Sequence, residues 1–388
     1  MDDIREKIEK SLNGVECWVE RHDYKGYEPF DGLTSFLQPL TFKSQLASQV
    51  LQQGIRRFPF NIRPMLGVVP LDSTKGRGYM AWGYLKRYKL TKDEKYKKKA
   101  FACLQWLDAN KSPLYEQHSW GNHFVYASRG GFIPKYEPTI VWTGLIGQAF
   151  LEAYELFRIE KHREIIEEIA EWIIALPREV TDKGVCLSYT MIKQGSIHNS
   201  NMIGAAFLAG AGKVTGKKEY FDVAQQAMKY SCARQLSDGA WYYGEAPKFR
   251  WIDVFHTGYN LDSLKRYSDF AQDRSFEENL LRGYEYFMTR FFEKSGRVRY
   301  YFNKTKPTDI QCASQAIDTL SLFSDIDPGN GTLAASTAAW YVDNMQGKDG
   351  HFYFRKYGFG VYNKAAMIHW GQATMYKALA HLLSNLAE

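Results

Sequence analysis

The sequence is poor in the features that mark secreted, membrane-spanning and zinc-binding proteins. Only five of its 388 residues are cysteine, and these are scattered, without a CxxC or zinc-ligand spacing. Scattered, unpaired cysteines are typical of a reducing compartment. No apolar run approaches the roughly 18 residues that a membrane span needs, and the charged start MDDIREKIEK does not resemble a signal peptide. We therefore expect a cytoplasmic protein without a membrane span.

Motifs of several common function classes are also missing. The net charge of +7 is mild and includes no polybasic block, so we expect no nucleic-acid partner. The stretch GAGKVTGKK lacks the spacing of a phosphate-binding loop, and no G-x-S-x-G motif occurs. His118 and His123 have no third ligand at helical spacing, so we expect neither a metal nor another cofactor. A modest positive charge remains compatible with an acidic small molecule or glycan.

What the sequence does contain is aromatic side chains, at 15% of all residues. Rings at this density often line clefts, because each has a large apolar face and Tyr and Trp add a polar tip. An aromatic recurs near the end of successive helical segments, and a glycine turn follows most of them. The turns read DKGVCLSY, SDGAWYYG, KSGRVRYYF and KDGHFYF.

Two kinds of helix alternate around these turns. Segments such as SNMIGAAFLAGAG are rich in small residues and apolar on more than one face, which predicts burial. Segments such as KHREIIEEIAEWII are amphipathic with a charged outer face. The sequence contains six of each kind. The sixth amphipathic helix, residues 1–20, lies at the opposite end of the chain from its expected partner, residues 365–383.

This arrangement predicts a ring of helical hairpins that closes the N-terminus onto the C-terminus. We predict an all-α fold, an (α/α)6 toroid, formed by residues 1–388 as one domain. Residues 1–20 form the ring-closing outer helix, and residues 21–72 form an inserted loop and helix segment, with the helix at 42–55. No βαβ alternation occurs, so a parallel sheet is not expected. An open α-solenoid, without wrap-around pairing, is the structural alternative.

Six hairpins joined by glycine-aromatic loops resemble the toroid of the six-hairpin glycosidase superfamily. The stretch DGAWYYGEAPKFRWIDVFHTGYNLDSLKRY, residues 238–267, also resembles the C-terminal domain of glucuronyl C5-epimerases and helical proteins of exopolysaccharide biosynthesis. In both, a Gly-x-Trp-Tyr loop leads into an inner helix. The resemblance implies a glycan substrate.

In such a ring the segments that lead into the inner helices form the mouth of a funnel, where we expect ligand binding. Polar and aromatic residues at these positions are therefore candidates for substrate binding. They are Arg77, Tyr79, Tyr136, His198, Asn201, Trp241, Tyr242, Arg250, Tyr259, His369 and Trp370. The structural alternative is that rings such as Trp241 only pack over the helices.

Candidate catalytic residues fall into two sets. Proton abstraction beside a uronate carboxylate needs an acid and a base, for which Tyr243 and His256 are candidates, together with a cation such as Arg77 or Arg250. Glycoside hydrolysis needs two carboxylates, for which Glu245, Asp253 and Asp309 are candidates, with Glu137 further round the ring. Asp253 and Asp309 also fit as helix caps.

These sets leave three function classes open. We favour a carbohydrate-active enzyme that acts on a glycan containing an acidic sugar, by epimerase or lyase chemistry. The alternatives are a glycoside hydrolase and a non-catalytic glycan-binding protein. In each case the partner is an oligosaccharide or polysaccharide, and the sequence leaves the oligomeric state open.

Overall fold

A computed structural model describes residues 2–192 and 195–386. Helices dominate the fold, and the strands are short. In the described residues the α-helices are α1 Asp2–Arg21, α2 Gln45–Arg57, α3 Thr74–Thr91, α4 Glu94–Ala109, α5 Ile140–Phe157, α6 Glu160–Ile174, α7 His198–Thr215, α8 Lys218–Cys232, α9 Val254–Ala271, α10 Glu277–Phe291, α11 Ile310–Leu322, α12 Gly329–Met345 and α13 Thr374–Asn385. A π-helical turn, Ile368–Ala373, leads into α13.

Six helices form the inner ring: α3, α5, α7, α9, α11 and α13. Each packs against the next, and α13 packs against α3, so the ring closes. Their small residues permit this close packing. A Cβ added at Gly83 of α3 would lie 2.5 Å from the ring of Tyr376 on α13. The predicted toroid is confirmed, and the open solenoid is excluded.

The outer ring consists of α4, α6, α8, α10, α12 and α1. The N-terminal helix α1 packs against both α12 and α13, which joins the two ends of the chain. Its buried face includes Leu12, Val15 and Trp18. The exposed charges of α1 also reach its neighbour, since Lys7 Nζ lies 2.8 Å from Asp343 of α12.

The glycine turns have a common structural role, which is to let each loop pass the backbone of the next outer helix. Gly184, Gly239 and Gly350 all have positive φ, between 92° and 105°. An added Cβ would lie 2.3, 2.2 and 2.2 Å from a carbonyl oxygen of α8, α10 and α1 respectively. Only glycine combines this backbone conformation with so close an approach. The last of these contacts is between Gly350 and Gly14, across the closure of the ring.

Short antiparallel strands occupy the connections, mainly in the segments that lead into inner helices. Together they form three two-stranded sheets and one three-stranded sheet within the described ranges. They are β1 Lys25–Gly26, β2 Leu71–Asp72, β3 Tyr126–Ser128, β4 Gly131–Ile133, β5 Arg178–Thr181, β6 Gly184–Leu187, β7 Thr308–Asp309, β8 Arg355–Lys356 and β9 Tyr362–Asn363.

The inserted segment contains one α-helix, Gln45–Arg57, where the sequence predicted a helix at 42–55. The start at Gln45 has a local reason: Phe42 and Lys43 have left-handed backbones, and Ser44 caps the helix by accepting a hydrogen bond from the Ala47 amide. The side chain of Gln52 exchanges two hydrogen bonds with the backbone of Ala127 in β3. This contact fixes α2 beside the segment that leads into the inner helix α5. In the described part of the chain no helix is long and apolar enough to cross a membrane.

Candidate active site at the mouth of the ring

Side chains from four inner-ring segments meet at the N-terminal end of the ring and form a closed circle of contacts. Lys75 of α3 lies over Trp142 of α5, which contacts His369 of the π-helical turn. Trp370 then contacts Phe255 of α9, with ring centres 5.6 Å apart. Phe255 contacts Tyr259, whose ring lies 5.7 Å from Lys75 Nζ. The circle marks the axis of the toroid and defines what we call the mouth.

Lys75 is a buried cation without a carboxylate partner at hydrogen-bonding distance among the described residues. Its ammonium lies 4.8 Å from the centre of the Trp142 ring and within 6 Å of the Tyr79 and Tyr259 rings. Such contacts stabilise a cation through the ring quadrupole. Burial lowers the pKa of Lys75 to about 8, while the charge of Glu28 acts in the opposite direction. The lysine therefore changes charge close to neutral pH.

A hydrogen-bonded chain forms the floor of the mouth. Tyr79 and Tyr259 hydroxyls lie 3.2 Å apart, and the side chain of Gln311 donates to the Tyr259 hydroxyl at 2.9 Å. Burial raises the pKa of both tyrosines. They are therefore protonated at neutral pH and can donate hydrogen bonds.

Two histidines at the mouth share one arrangement, in which a carboxylate holds Nδ1. Nδ1 of His256 lies 2.7 Å from Oδ2 of Asp253, and His369 Nδ1 is paired in the same way with Glu28. Nε2 of each ring has no hydrogen-bond partner within residues 2–192 and 195–386. An imidazole held at one nitrogen and open at the other is suited to proton transfer.

Asp253 holds His256 from a fixed position, because it also caps α9. Its Oδ1 accepts the His256 amide at 2.9 Å, and its Oδ2 accepts the Trp251 indole N–H at 2.9 Å. The Tyr243 ring stacks on Trp251 at 4.4 Å and lies 4.5 Å from the His256 ring. Burial raises the pKa of Tyr243, so its hydroxyl keeps its proton at neutral pH.

Two buried or partly buried arginines lie close to Tyr300, next to the circle. Arg56, from the inserted helix α2, lies over Trp370 at 4.7 Å, and its guanidinium is 3.5 Å from the Tyr300 hydroxyl. Arg355 pairs with Asp309 at 2.5 Å. Asp309 also caps α11 by accepting the Gln311 amide at 3.0 Å. The sequence-predicted capping role of Asp309 is therefore present, together with an ion pair that the sequence did not indicate.

Other predicted residues lie in the wall of the toroid rather than at the mouth. His198 uses both ring nitrogens, one toward Ser231 and one toward Glu245 at 2.7 Å. The hydrogen bond from His198 lowers the pKa of Glu245. Asn201 accepts the Leu187 amide and donates to Ser231. These contacts connect α7 to α8 and to β6.

A further set of predicted residues lies outside the circle. Arg77 lies between Tyr24 and Trp106 and reaches Asp72 at 3.4 Å. Arg250 is exposed and donates to the carbonyl oxygen of Glu245. Three aromatic residues complete this set: Tyr136 contacts His123, Tyr242 lies under Arg250, and the Trp241 indole donates to the Ser231 carbonyl.

Lys75, Glu28 and Trp142 belong to the mouth but were not predicted from the sequence. For Lys75 a signal existed, because Lys75 and Tyr79 are four residues apart and so share a helix face, whereas Arg77 points away from it. Glu28 lies in the inserted segment, far from any inner helix in sequence. Among the described residues no three His, Cys, Asp or Glu side chains come together as metal ligands.

The sequence matches no protein-family model and no curated protein. Solved structures do resemble it in fold. Cellobiose 2-epimerase from Bacillus thermoamylovorans has a TM-score of 0.65 at 8% identity, over 83% of this chain and 90% of that one. An unsaturated glucuronyl hydrolase specific for heparin has a TM-score of 0.64 at 12% identity, over 100% of this chain and 98% of that one. A D-mannose isomerase has a TM-score of 0.60 at 11% identity, over 81% and 87%.

At these identities the likeness establishes the fold. The chain has an (α/α)6 toroid, as predicted, and shares this fold with the solved structures just named. The fold hosts more than one reaction among the structures just named, so function has to be argued from the side chains at the mouth.

Proposed function

We propose that the protein is a carbohydrate-active enzyme that moves a proton on a sugar, as an epimerase or lyase does. The observation that carries the proposal is the pair of histidines at the mouth. His256 and His369 are each held at Nδ1 by a carboxylate, and in the described chain neither has a partner at Nε2. Histidine is the side chain most often used as a general acid or base, and burial lowers the pKa of His369, which favours the neutral imidazole that can accept a proton.

The surrounding groups fit the charge changes of this reaction. Removing a proton beside a carbonyl or carboxylate builds negative charge on the sugar, and a positioned cation or donor stabilises that charge. Lys75 supplies a cation in a buried site, where it acts more strongly than in water. Tyr243, beside His256, supplies a protonated hydroxyl.

The hydrolase alternative finds less support, because each predicted carboxylate already has a partner. A general acid needs a raised pKa, whereas the pKa of Glu245 is lowered by its hydrogen bond from His198. Asp253 is engaged by Trp251 and His256, and Asp309 by Arg355. These contacts favour roles in capping and positioning.

An acidic sugar is the substrate class that the charges favour. Lys75 has no carboxylate hydrogen-bonded to it in the described residues, so a uronate carboxylate would give it one. In this proposal Lys75 takes the role that the sequence suggested for Arg77 or Arg250; Arg250 is exposed. Arg56, over Trp370, is a second cation at the same opening.

Proton exchange with deuterated solvent tests the proposal. Purified protein is incubated in D2O with uronic acids, aldoses, and neutral and acidic oligosaccharides, and ring protons are followed by NMR. We expect one ring-proton signal of an acidic sugar to disappear, with or without a new epimer or an unsaturated product. Release of reducing ends without exchange would instead indicate the hydrolase. Binding without exchange or cleavage would indicate the non-catalytic alternative.

A further inference from the structure

Exposed apolar side chains are concentrated in the inserted segment. Eight large apolar residues of the described chain have more than 60% of their surface exposed, and six of these fall within residues 36–65. We call these six the apolar patch: Phe36, Leu40, Phe42, Leu46, Val50 and Met65. Exposed residues of this kind are ordinary when scattered singly, but a cluster marks an interaction surface.

The first two turns of helix α2 expose apolar side chains. Ser48, Gln52 and Ile55 are buried on the side that faces the protein, while Leu46 and Val50 are exposed. A helix that only covers a soluble protein has polar side chains on its outward face. Phe42, Leu46 and Val50 are spaced four residues apart, and the two on the helix therefore share its outward face.

The same surface is basic. Residues 32–71 contain no Asp or Glu, and neither do residues 119–136, 246–252 or 350–364, which form other loops on this side. Lys43 precedes α2 and Arg57 is its last residue, and both are exposed. Arg129 is also exposed, and it follows Ser128, whose carbonyl accepts hydrogen bonds from α2. Apolar side chains thus lie among cations, with no carboxylate in the segment to neutralise them.

This charge pattern distinguishes between two partners that could cover the apolar patch, a second copy of the protein and an anionic lipid surface. In a two-fold dimer the same surface of both copies meets, so Lys43 and Arg57 would approach other cations, and the segment offers no acid to pair with them. An anionic lipid surface fits both properties, because it accepts apolar side chains at the acyl boundary and attracts lysine and arginine.

We propose that the apolar patch docks the protein on an anionic bilayer surface, with α2 lying in the interface. Because Arg56 of the same helix reaches Trp370, docking would place the mouth of the ring next to the lipid headgroups. The proposal does not depend on the proposed reaction.

Vesicle flotation tests the proposal with the full-length protein. Vesicles of phosphatidylcholine alone are compared with vesicles of phosphatidylcholine and phosphatidylglycerol at 3:1. We expect binding to the mixed vesicles only, weakened by salt. The variant with Phe42→Ser, Leu46→Ser and Val50→Ser should lose this binding. The variant with Lys43→Ala and Arg57→Ala should bind about 25-fold more weakly, at about fivefold for each cation removed.

The matched control carries Val180→Ser and Leu281→Ser, which remove exposed apolar side chains elsewhere and should leave vesicle binding unchanged. Circular dichroism and melting temperature establish that each variant is folded. Failure of the wild-type protein to bind mixed vesicles would overturn the proposal, as would equal binding by the triple serine variant. A wild-type dimer that the triple serine variant dissociates, without vesicle binding by either, would assign the patch to a second copy.

Discussion

At the scale of single residues, Lys75 is the group whose charge state most affects the proposed chemistry. Its pKa is lowered to about 8 by burial, so a cationic Lys75 is available below that pH and is lost above it. The lysine lies among three rings rather than beside an acid, and a substrate carboxylate is the partner that would hold it.

Changing Lys75 should therefore alter both the rate and its dependence on pH. We expect kcat/KM of the wild type to fall above about pH 8, as the ammonium loses its proton. Lys75→Met should lower kcat/KM by about 10²- to 10³-fold, the usual loss when one electrostatic contact to the transition state is removed. A pH series of exchange rates measures both effects. A wild-type rate that rises through pH 8 would show that Lys75 acts as a base instead.

A second prediction concerns Asp262, below the floor of the mouth. Its side chain faces a cavity of about 20 Å³, room for about one water. One of its oxygens is buried without a partner in the described chain. Burial, with the nearby charge of Asp318, raises the pKa of Asp262 to about 7. The folded protein therefore holds a proton that the unfolded chain releases above about pH 4, and stability falls as pH rises through 7.

Asp262→Asn should remove this decline. At pH 8 we expect the variant to be more stable than the wild type by about 1–3 kcal/mol of unfolding free energy, and so to unfold at a higher temperature. At pH 5 the difference in stability between variant and wild type should be smaller. Thermal melts at the two pH values make the comparison. An equal gain in stability at pH 5 and at pH 8 would mean that the Asp262 carboxylate does not titrate between these pH values.

From the sequence, the location of a residue is predictable where it follows from the helix that the residue starts. His369, Trp370, Tyr243, Asp253 and His256 lie at the mouth for this reason, although their roles remain predictions. The structure places Arg77 and Arg250 outside the circle, because nearness to a helix start does not say which way a side chain points. Glu28 could not be found this way, since its partner His369 is 341 residues away in the chain.

At the scale of elements, the repeated glycine turns are what align one hairpin with the next. Each turn passes within contact distance of an outer-helix carbonyl, and Gly350 does so at the point where the ring closes. The sequence revealed the repeat of these glycines, but the reason for it requires the packed helices.

Gly350→Ala should destabilise the protein more than Gly216→Ala. Both glycines have positive φ, but an added Cβ at Gly350 would lie 2.2 Å from the Gly14 oxygen, whereas nothing lies within 4 Å at Gly216. Gly216→Ala therefore costs only backbone strain, about 1–2 kcal/mol, and Gly350→Ala adds a steric clash. Denaturant unfolding compares them. Equal losses would contradict the proposed role of the glycine turn in closing the ring.

At the scale of the whole molecule, the toroid was predictable because its signal is repeated. Alternating buried and amphipathic helices recur six times, and one misplaced boundary, such as the start of α2, leaves the pattern intact. The mouth was only partly predictable, since it combines single residues from segments that are distant in sequence.

The distribution of charge over the molecule also predicts a substrate preference. The loops on the mouth side contain long stretches without acidic residues, so an acidic oligosaccharide should bind more tightly than its neutral counterpart. The difference should shrink as salt rises, because part of the attraction is ionic. Calorimetric titrations at low and high salt measure it, and equal affinity for both glycans at low salt would contradict the preference.

Solvent exchange by histidine variants tests the central claim most directly. Ring-proton exchange into D2O is measured for the wild type, His256→Gln and His369→Gln, with His351→Gln as control because that histidine also pairs with an acid, Asp349, but lies at an outer loop. We predict that His256→Gln and His369→Gln each slow exchange by 10²-fold or more, while glycan binding and melting temperature stay close to those of the wild type. His351→Gln should leave the exchange rate, the glycan binding and the melting temperature unchanged. Exchange that persists at the wild-type rate in both mouth variants would contradict the account.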